Sequence, residues 1–197
     1  LEAIAANTTS TGERVALMHR IAQIAEERLD DPDRAVAWYR RALDSDPAYV
    51  PALQALGKLY ADRGQWTALI AMHLGEAGAA LASARRAAAH ARVADILERR
   101  LQNVDQAIEH HARALGLLPG YAPSFKALVR LYSQGSRFRE LAELYERAVD
   151  LARDNETRIT YLFKIGRLHE DALGAPLSAM VAYRRIREVE MGHMGAI

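Results

Sequence analysis

Displaced by 72 places, the chain reads over itself without a gap: Ala35 falls on Ala107, Pro47 on Pro119, Pro51 on Pro123, Leu56 on Leu128 and Tyr60 on Tyr132. Between Ile21–Trp66 and Val93–Phe138, 17 of 46 positions are identical, most of them apolar or turn residues. A third copy follows, with Leu29, Leu101 and Leu173 in register, and Ala35, Ala107 and Ala179 likewise. A unit copied in this way does not bury its apolar face alone; it stacks on its neighbours, which restricts the fold to an array of like units. The 197 residues are therefore expected to form one array, 1–197, rather than two globules.

The units are helical. Ile21, Ala22, Ile24, Ala25 and Leu29 make one apolar stripe at helical spacing, and Ala35, Val36, Tyr39, Ala42 and Leu43 make the next. Between them lies Asp30-Asp31-Pro32-Asp33, where Pro suits a first helical turn and Asp caps exposed N–H groups. Asp46-Pro47 closes the second helix, Pro51 opens another, and Arg63-Gly64 stops it. No run alternates as a strand does. The pattern predicts ten helices, at 13–30, 32–45, 49–63, 66–82, 83–102, 104–117, 121–134, 137–153, 155–173 and 175–190. Short connections make them antiparallel pairs, at about 13–47, 48–82, 83–119, 120–154 and 155–190. Gly75 and Gly78 fall inside the fourth helix, where each costs about 1 kcal/mol relative to Ala. Either the helix breaks there or, as the surrounding alanines favour, it runs through both, the small side chains permitting a close crossing.

Leu1–Ser10 aligns with His73–Ala82 and Tyr145–Asp154, the tail of a helix, while Ala196 and Ile197 align with Ala52 and Leu53, the opening of one. Segments 1–10 and 191–197 are accordingly expected to be partial repeats, and the sequence a fragment of a longer array. No apolar run approaches the roughly 20 residues of a membrane span, and the start lacks the layout of a signal peptide. A cytoplasmic location is expected, with any signal or anchor lying outside this sequence.

The residue pattern resembles the tetratricopeptide repeat, whose signature is a large residue, Leu-Gly and Tyr on a first helix, then Ala, an aromatic, Ala and Pro on a second. Leu53, Leu56-Gly57 and Tyr60 supply the first set, as do Phe125, Leu128-Val129 and Tyr132. Ala35, Tyr39, Ala42 and Pro47 supply the second, then Ala107, His111, Ala114 and Pro119, and in part Ala179 and Tyr183. The blocks of about 36 residues are close to the roughly 34 of that family's unit. The resemblance implies an all-α, right-handed α-solenoid of antiparallel helix pairs, non-enzymatic and serving as a protein-binding scaffold; the functional part of that implication is analogy. Two departures stand out. From Ile21 to Ala35 is one step more than in the family, so the first helix of the odd-numbered pairs should be longer or end in a wider turn. Leu69 and Leu141 replace the usual Ala in the even pairs, and Glu76 replaces a second small residue, so the true repeat is a double unit.

Chemistry is not written in motifs here. Without cysteine there is no disulfide or thiolate site. The adjacent His110 and His111 point about 100° apart on a helix. His111 matches Tyr39 and Tyr183, so it reads as a packing residue. His19, His73, His90, His169 and His193 lack HExxH-like spacing, so no metal site is expected. The acidic runs at 30–33 and 44–46 lack the Gly and distal Glu of a calcium loop. No phosphate-binding or nucleophile-elbow motif occurs, and neither catalysis nor a cofactor is expected. The 26 basic and 25 acidic residues leave a net charge of +1 and no overall field for nucleic acid or membrane. Arg40-Arg41, Arg85-Arg86, Arg99-Arg100 and Arg184-Arg185 read as salt-bridged surface.

By the resemblance, the residues two before and two after the Leu of Leu-Gly on each first helix face a concave groove. They are His19 and Gln23, Gln54 and Lys58, Ala91 and Asp95, Lys126 and Arg130, and Phe163 and Arg167. Excepting Ala91, these nine are the candidate partner-binding residues, with Lys126, Arg130 and Arg167 placed to pair with carboxylates of a protein or peptide and Phe163 to give apolar contact. The alternatives are a structural spacer or oligomerisation array, or a regulatory module of a larger protein. The sequence does not fix an oligomeric state.

Overall fold

The structure, a computed structural model, describes residues 1–194. Ala196 and Ile197, read above as the opening of a further repeat, and the His193 side chain lie outside the described residues. Among the described residues there are eleven helices and no strand: α1 Glu2–Asn7, α2 Thr11–Glu27, α3 Pro32–Ser45, α4 Val50–Asp62, α5 Trp66–Ala79, α6 Ser83–Arg99, α7 Val104–Leu117, α8 Ala122–Gln134, α9 Phe138–Leu151, α10 Asn155–Asp171 and α11 Pro176–Met194. The all-α expectation and the ten inferred helices hold, and α1 is an additional short helix within the segment read as a helix tail.

The caps explain the boundaries. Asp31 accepts from the Arg34 N–H at 3.0 Å with Pro32 in the first turn of α3, and Asn103 accepts from Gln106 N–H at 3.2 Å at the start of α7. The first helices of the odd pairs, α2, α6 and α10, have 17 residues each, against 13 in α4 and α8. The extra step between Ile21 and Ala35 thus appears as a longer helix, and also as a wider turn. Asp30, Gln102 and Gly174, successive copies of one position, adopt φ of 50°, 54° and 58°. The same backbone bonds form beside each: Leu29 N–H to Ile24 O at 3.2 Å, Leu101 N–H to Ile96 O at 3.3 Å and Leu173 N–H to Leu168 O at 3.0 Å. These left-handed closures satisfy carbonyls that the helix end leaves open.

Contacts divide the chain into two compact units, Leu1–Leu118 and Pro119–Ile197. In the first, Val15, Ala22, Tyr39, Leu56, Tyr60 and Leu69 are buried in one core, and Val93, Ala94, Leu97 and Ala107 in a second between α6 and α7. Arg41 and Arg100 lie over the Trp38 and Trp66 rings at 4.6 and 4.8 Å. In the second unit, Leu141, Tyr145, Val149, Leu162 and Ile165 form the core. Leu69 and Leu141 are both buried, as their shared departure from Ala implies.

α5 is continuous through Gly75 and Gly78, as expected, but ends at Ala79 rather than Ala82. The close crossing expected there is absent: a Cβ at either glycine meets nothing within 4 Å. Close approach occurs instead at Gly57, whose Cβ would touch Met72 and Leu69 of α5, and at Gly166, whose Cβ would stand 2.7 Å from Tyr183 Cζ.

Glu76 is 7% exposed, and it is satisfied rather than stranded. Arg85 Nε donates to it at 3.2 Å and Arg92 NH2 at 2.6 Å, the His73 ring lies 3.3 Å away, and Arg85 also donates to Ala48 O at 2.8 Å. Burial alone would raise the Glu76 carboxyl, but the hydrogen bonds from His73, Arg92 and Arg85 and the Arg92 charge outweigh it and hold the pKa at about 2. The residue in the small-side-chain position therefore ties α5 to α6 and to the chain entering α4.

Candidate functional site

The nine sequence candidates divide between the units. In Leu1–Leu118, Gln54 and Lys58 are exposed four apart on α4. Gln23 is half-buried and accepts from Arg20 at 3.3 Å. His19 is packed, its ring 5.4 Å from Tyr39 and 5.7 Å from Tyr49; burial lowers its pKa, more than its hydrogen bond to the Pro51 backbone raises it. Ala91 is buried. Two clefts of about 640 and 500 Å³ lie against Tyr60 between α3 and the α4–α5 pair, and none of the nine candidates lines either.

Asp95 is exposed on α6, but it does not stand alone. One ligand atom each from Asp95, Glu98 and His111 lies within 4.8 Å of the other two. His111 is 2% exposed, consistent with its reading as a packing residue. The same turn of the neighbouring copies holds a Tyr–Glu pair: Tyr39 donates to Glu26 at 3.0 Å and Tyr183 to Glu170 at 2.9 Å. Also on α6–α7, His90 Nδ1 and His110 Nδ1 approach to 3.0 Å.

In Pro119–Ile197, Lys126 and Arg130 are exposed four apart on α8, one helical turn, and Arg130 NH1 reaches Gln134 at 3.4 Å. Phe163 and Arg167 come together in a cleft of about 360 Å³, with Tyr145, Lys164, Leu168 and Asp171 also on its wall. Phe163 is 51% exposed despite lining it. Its wall residue Tyr145 belongs to an aromatic cluster: Tyr145 stacks on Tyr161 at 5.7 Å, Phe125 meets Tyr161 edge-on at 5.8 Å, and Lys164 Nζ sits 5.4 Å over the Tyr145 ring. Arg167 gives both its Nε and an NH2 to Asp171 Oδ2, at 2.7 and 2.6 Å. The sequence reading missed Lys164 and the Phe125–Tyr145–Tyr161 cluster; the signal lay in aromatics from three different helices, which register within one helix does not relate.

Helix pairs with small residues opposite aromatics, and exposed side chains on the first helices, define a helical-repeat protein of the scaffold type. Tetratricopeptide-repeat family models match residues 15–49, covering α2–α3, and 124–159, covering α8–α9. The chain therefore carries tetratricopeptide repeats at both places, one on an odd pair and one on an even pair. Among solved structures it is similar to the MamA protein (23% identity, 91% of this chain and 93% of that one, TM-score 0.48). It is also similar to YrrB, described as a tetratricopeptide-repeat protein with an unusual peptide-binding site (15%, 98% and 93%, 0.48), and to a kinesin light chain from Podosopora anserina (16%, 94% and 99%, 0.44). No curated protein matches the chain in sequence.

Proposed function

We propose that this chain is a non-enzymatic protein-interaction scaffold, and that the exposed face of its first helices binds an extended, acidic protein segment bearing an apolar side chain. Lys126, Arg130 and Arg167 take the carboxylates and Phe163 takes the apolar contact; within the other unit Gln54, Lys58 and Gln23 offer polar contacts on its own first helices, and His19 and Asp95 serve other contacts. The observation that carries the proposal is Phe163, a large apolar side chain left 51% exposed on a cleft wall beside Lys164 and Arg167. Exposed ion pairs contribute only about 0–1 kcal/mol each. Several must act together with the apolar contact, so recognition is multipoint and tolerant in sequence.

Selection from a random peptide library tests this. Peptides with Asp or Glu near Phe or Leu are expected, and Lys126→Glu with Arg130→Glu should abolish their binding while Arg139→Glu on α9 leaves it intact. The reverse pattern rejects the surface.

A second reading is favoured by α11, which exposes Leu177 (77%), Met180 (65%) and Val181 (47%) at helical spacing. Ile108, the equivalent of Met180, is 6% exposed. An array that assembles through α11 would sediment as an oligomer that Met180→Glu dissociates.

A further inference from the structure

We propose that Asp95, Glu98 and His111 form a binding site for a divalent transition-metal ion, with Zn²⁺ as its representative, on the α6–α7 hairpin. Asp95 and Glu98 stand three apart on α6 and so share one face of it, and His111 comes from α7. One ligand atom from each lies within 4.8 Å of the others. Bonds of about 2.0–2.2 Å in a tetrahedral site place donors about 3.4 Å apart, so closing this site takes a contraction of about 1.4 Å at most. The exposed Asp95 and half-buried Glu98 can turn to supply it, while burial fixes the His111 ring. One imidazole nitrogen and two carboxylates suit Zn²⁺, Co²⁺ or Mn²⁺ rather than a soft, thiolate-seeking ion. Three protein ligands leave a position open towards solvent on the Asp95 side.

The internal repeat is the control. The positions of Asp95, Glu98 and His111 are Gln23, Glu26 and Tyr39 in one copy and Arg167, Glu170 and Tyr183 in the other. Both outer copies keep the Glu as acceptor of a Tyr hydroxyl, at 3.0 and 2.9 Å. Only the middle copy replaces the aromatic with an imidazole and the third side chain with a carboxylate. Packing does not demand Asp at an exposed position, and the Glu contact does not require His.

The competing ligand set is on the same hairpin, His90 and His110 with Nδ1 atoms 3.0 Å apart. Titration calorimetry of the chelator-stripped full chain with Zn²⁺, repeated with Co²⁺ to read its visible absorption, is expected to show one ion per chain. His111→Tyr installs the outer-copy arrangement, so it should fold and lose at least about 100-fold in affinity, the upper end of what loss of an outer-shell partner costs. The surface change Asp95→Gln, which copies Gln23, should weaken binding in the same direction and serves if His111→Tyr fails to fold. His90→Ala should leave binding unchanged. The proposal is overturned if the wild-type chain takes up no stoichiometric metal, if Asp95→Gln binds as wild type, or if His90→Ala removes the site.

Discussion

Gln102 occupies a backbone conformation that suits glycine, and its copies show what it costs. At φ 54° an L side chain carries a penalty of about 1–2 kcal/mol, which Gly174 avoids at the same turn and Gln102 bears. Gln102→Gly should therefore stabilise the α6–α7 hairpin by up to about 1 kcal/mol after the extra chain entropy of glycine is subtracted, seen as a higher urea midpoint with an unchanged slope. Gly166 works in the opposite sense. Ala22 and Ala94 hold the equivalent place opposite Tyr39 and His111, but at 166 the Tyr183 ring takes the space of the methyl group. Gly166→Ala should destabilise the second unit by about 1–3 kcal/mol, and Tyr183→Leu in the same chain should recover part of it, a coupling that a double-mutant cycle measures.

An ionic link joins α5 to α6, and it carries a pH signature. The Glu76 carboxyl sits at about 2 in the fold against an ordinary 4.5, so the unfolded chain binds its proton first as pH falls. The linked stability is complete above about pH 4.5 and lost progressively down to about pH 2, and it amounts to about 3 kcal/mol. Glu76→Gln should be less stable than wild type at neutral pH, with the gap narrowing as pH falls through that window; a gap constant between pH 5 and pH 2 in urea titrations would contradict the assignment. This network also marks where sequence reasoning stops. Helix bounds were legible because caps and apolar spacing are local: Asp31-Pro32 and Arg63-Gly64 declare themselves. Glu76 showed only as an odd residue in a small position, since its partners Arg85 and Arg92 lie across a hairpin. The same reason hid the Asp95–Glu98–His111 group from a search for ligands spaced within one helix. The resemblance put Phe163, Arg167 and His19 on one groove-facing strip; in the structure Phe163 and Arg167 line one cleft, while the Tyr39 and Tyr49 rings that pack against His19 come from later elements.

On the scale of the whole chain the question is which charged polymer the basic side chains can serve. A net charge of +1 gives no long-range attraction for a polyanion, so nucleic acid would have to be held by local cations alone. Several of those are already engaged: Arg137 with Glu140, Arg184 with Glu188 and Arg185 with Glu146. A duplex releases counterions in proportion to the phosphates neutralised, and a surface that must first break its own pairs gains little from that release. An acidic peptide needs only two or three cations, and it also gains the apolar Phe163 contact that a phosphate backbone does not offer. Duplex DNA should therefore fail to shift in a gel even at about 50 mM salt, where phosphate contacts are strongest, while a fluorescent acidic–aromatic peptide binds under the same conditions. A shift that Lys126→Glu and Arg130→Glu abolish would transfer the same surface from peptide to nucleic acid and reject the peptide assignment, because those two cations would then be neutralising phosphates.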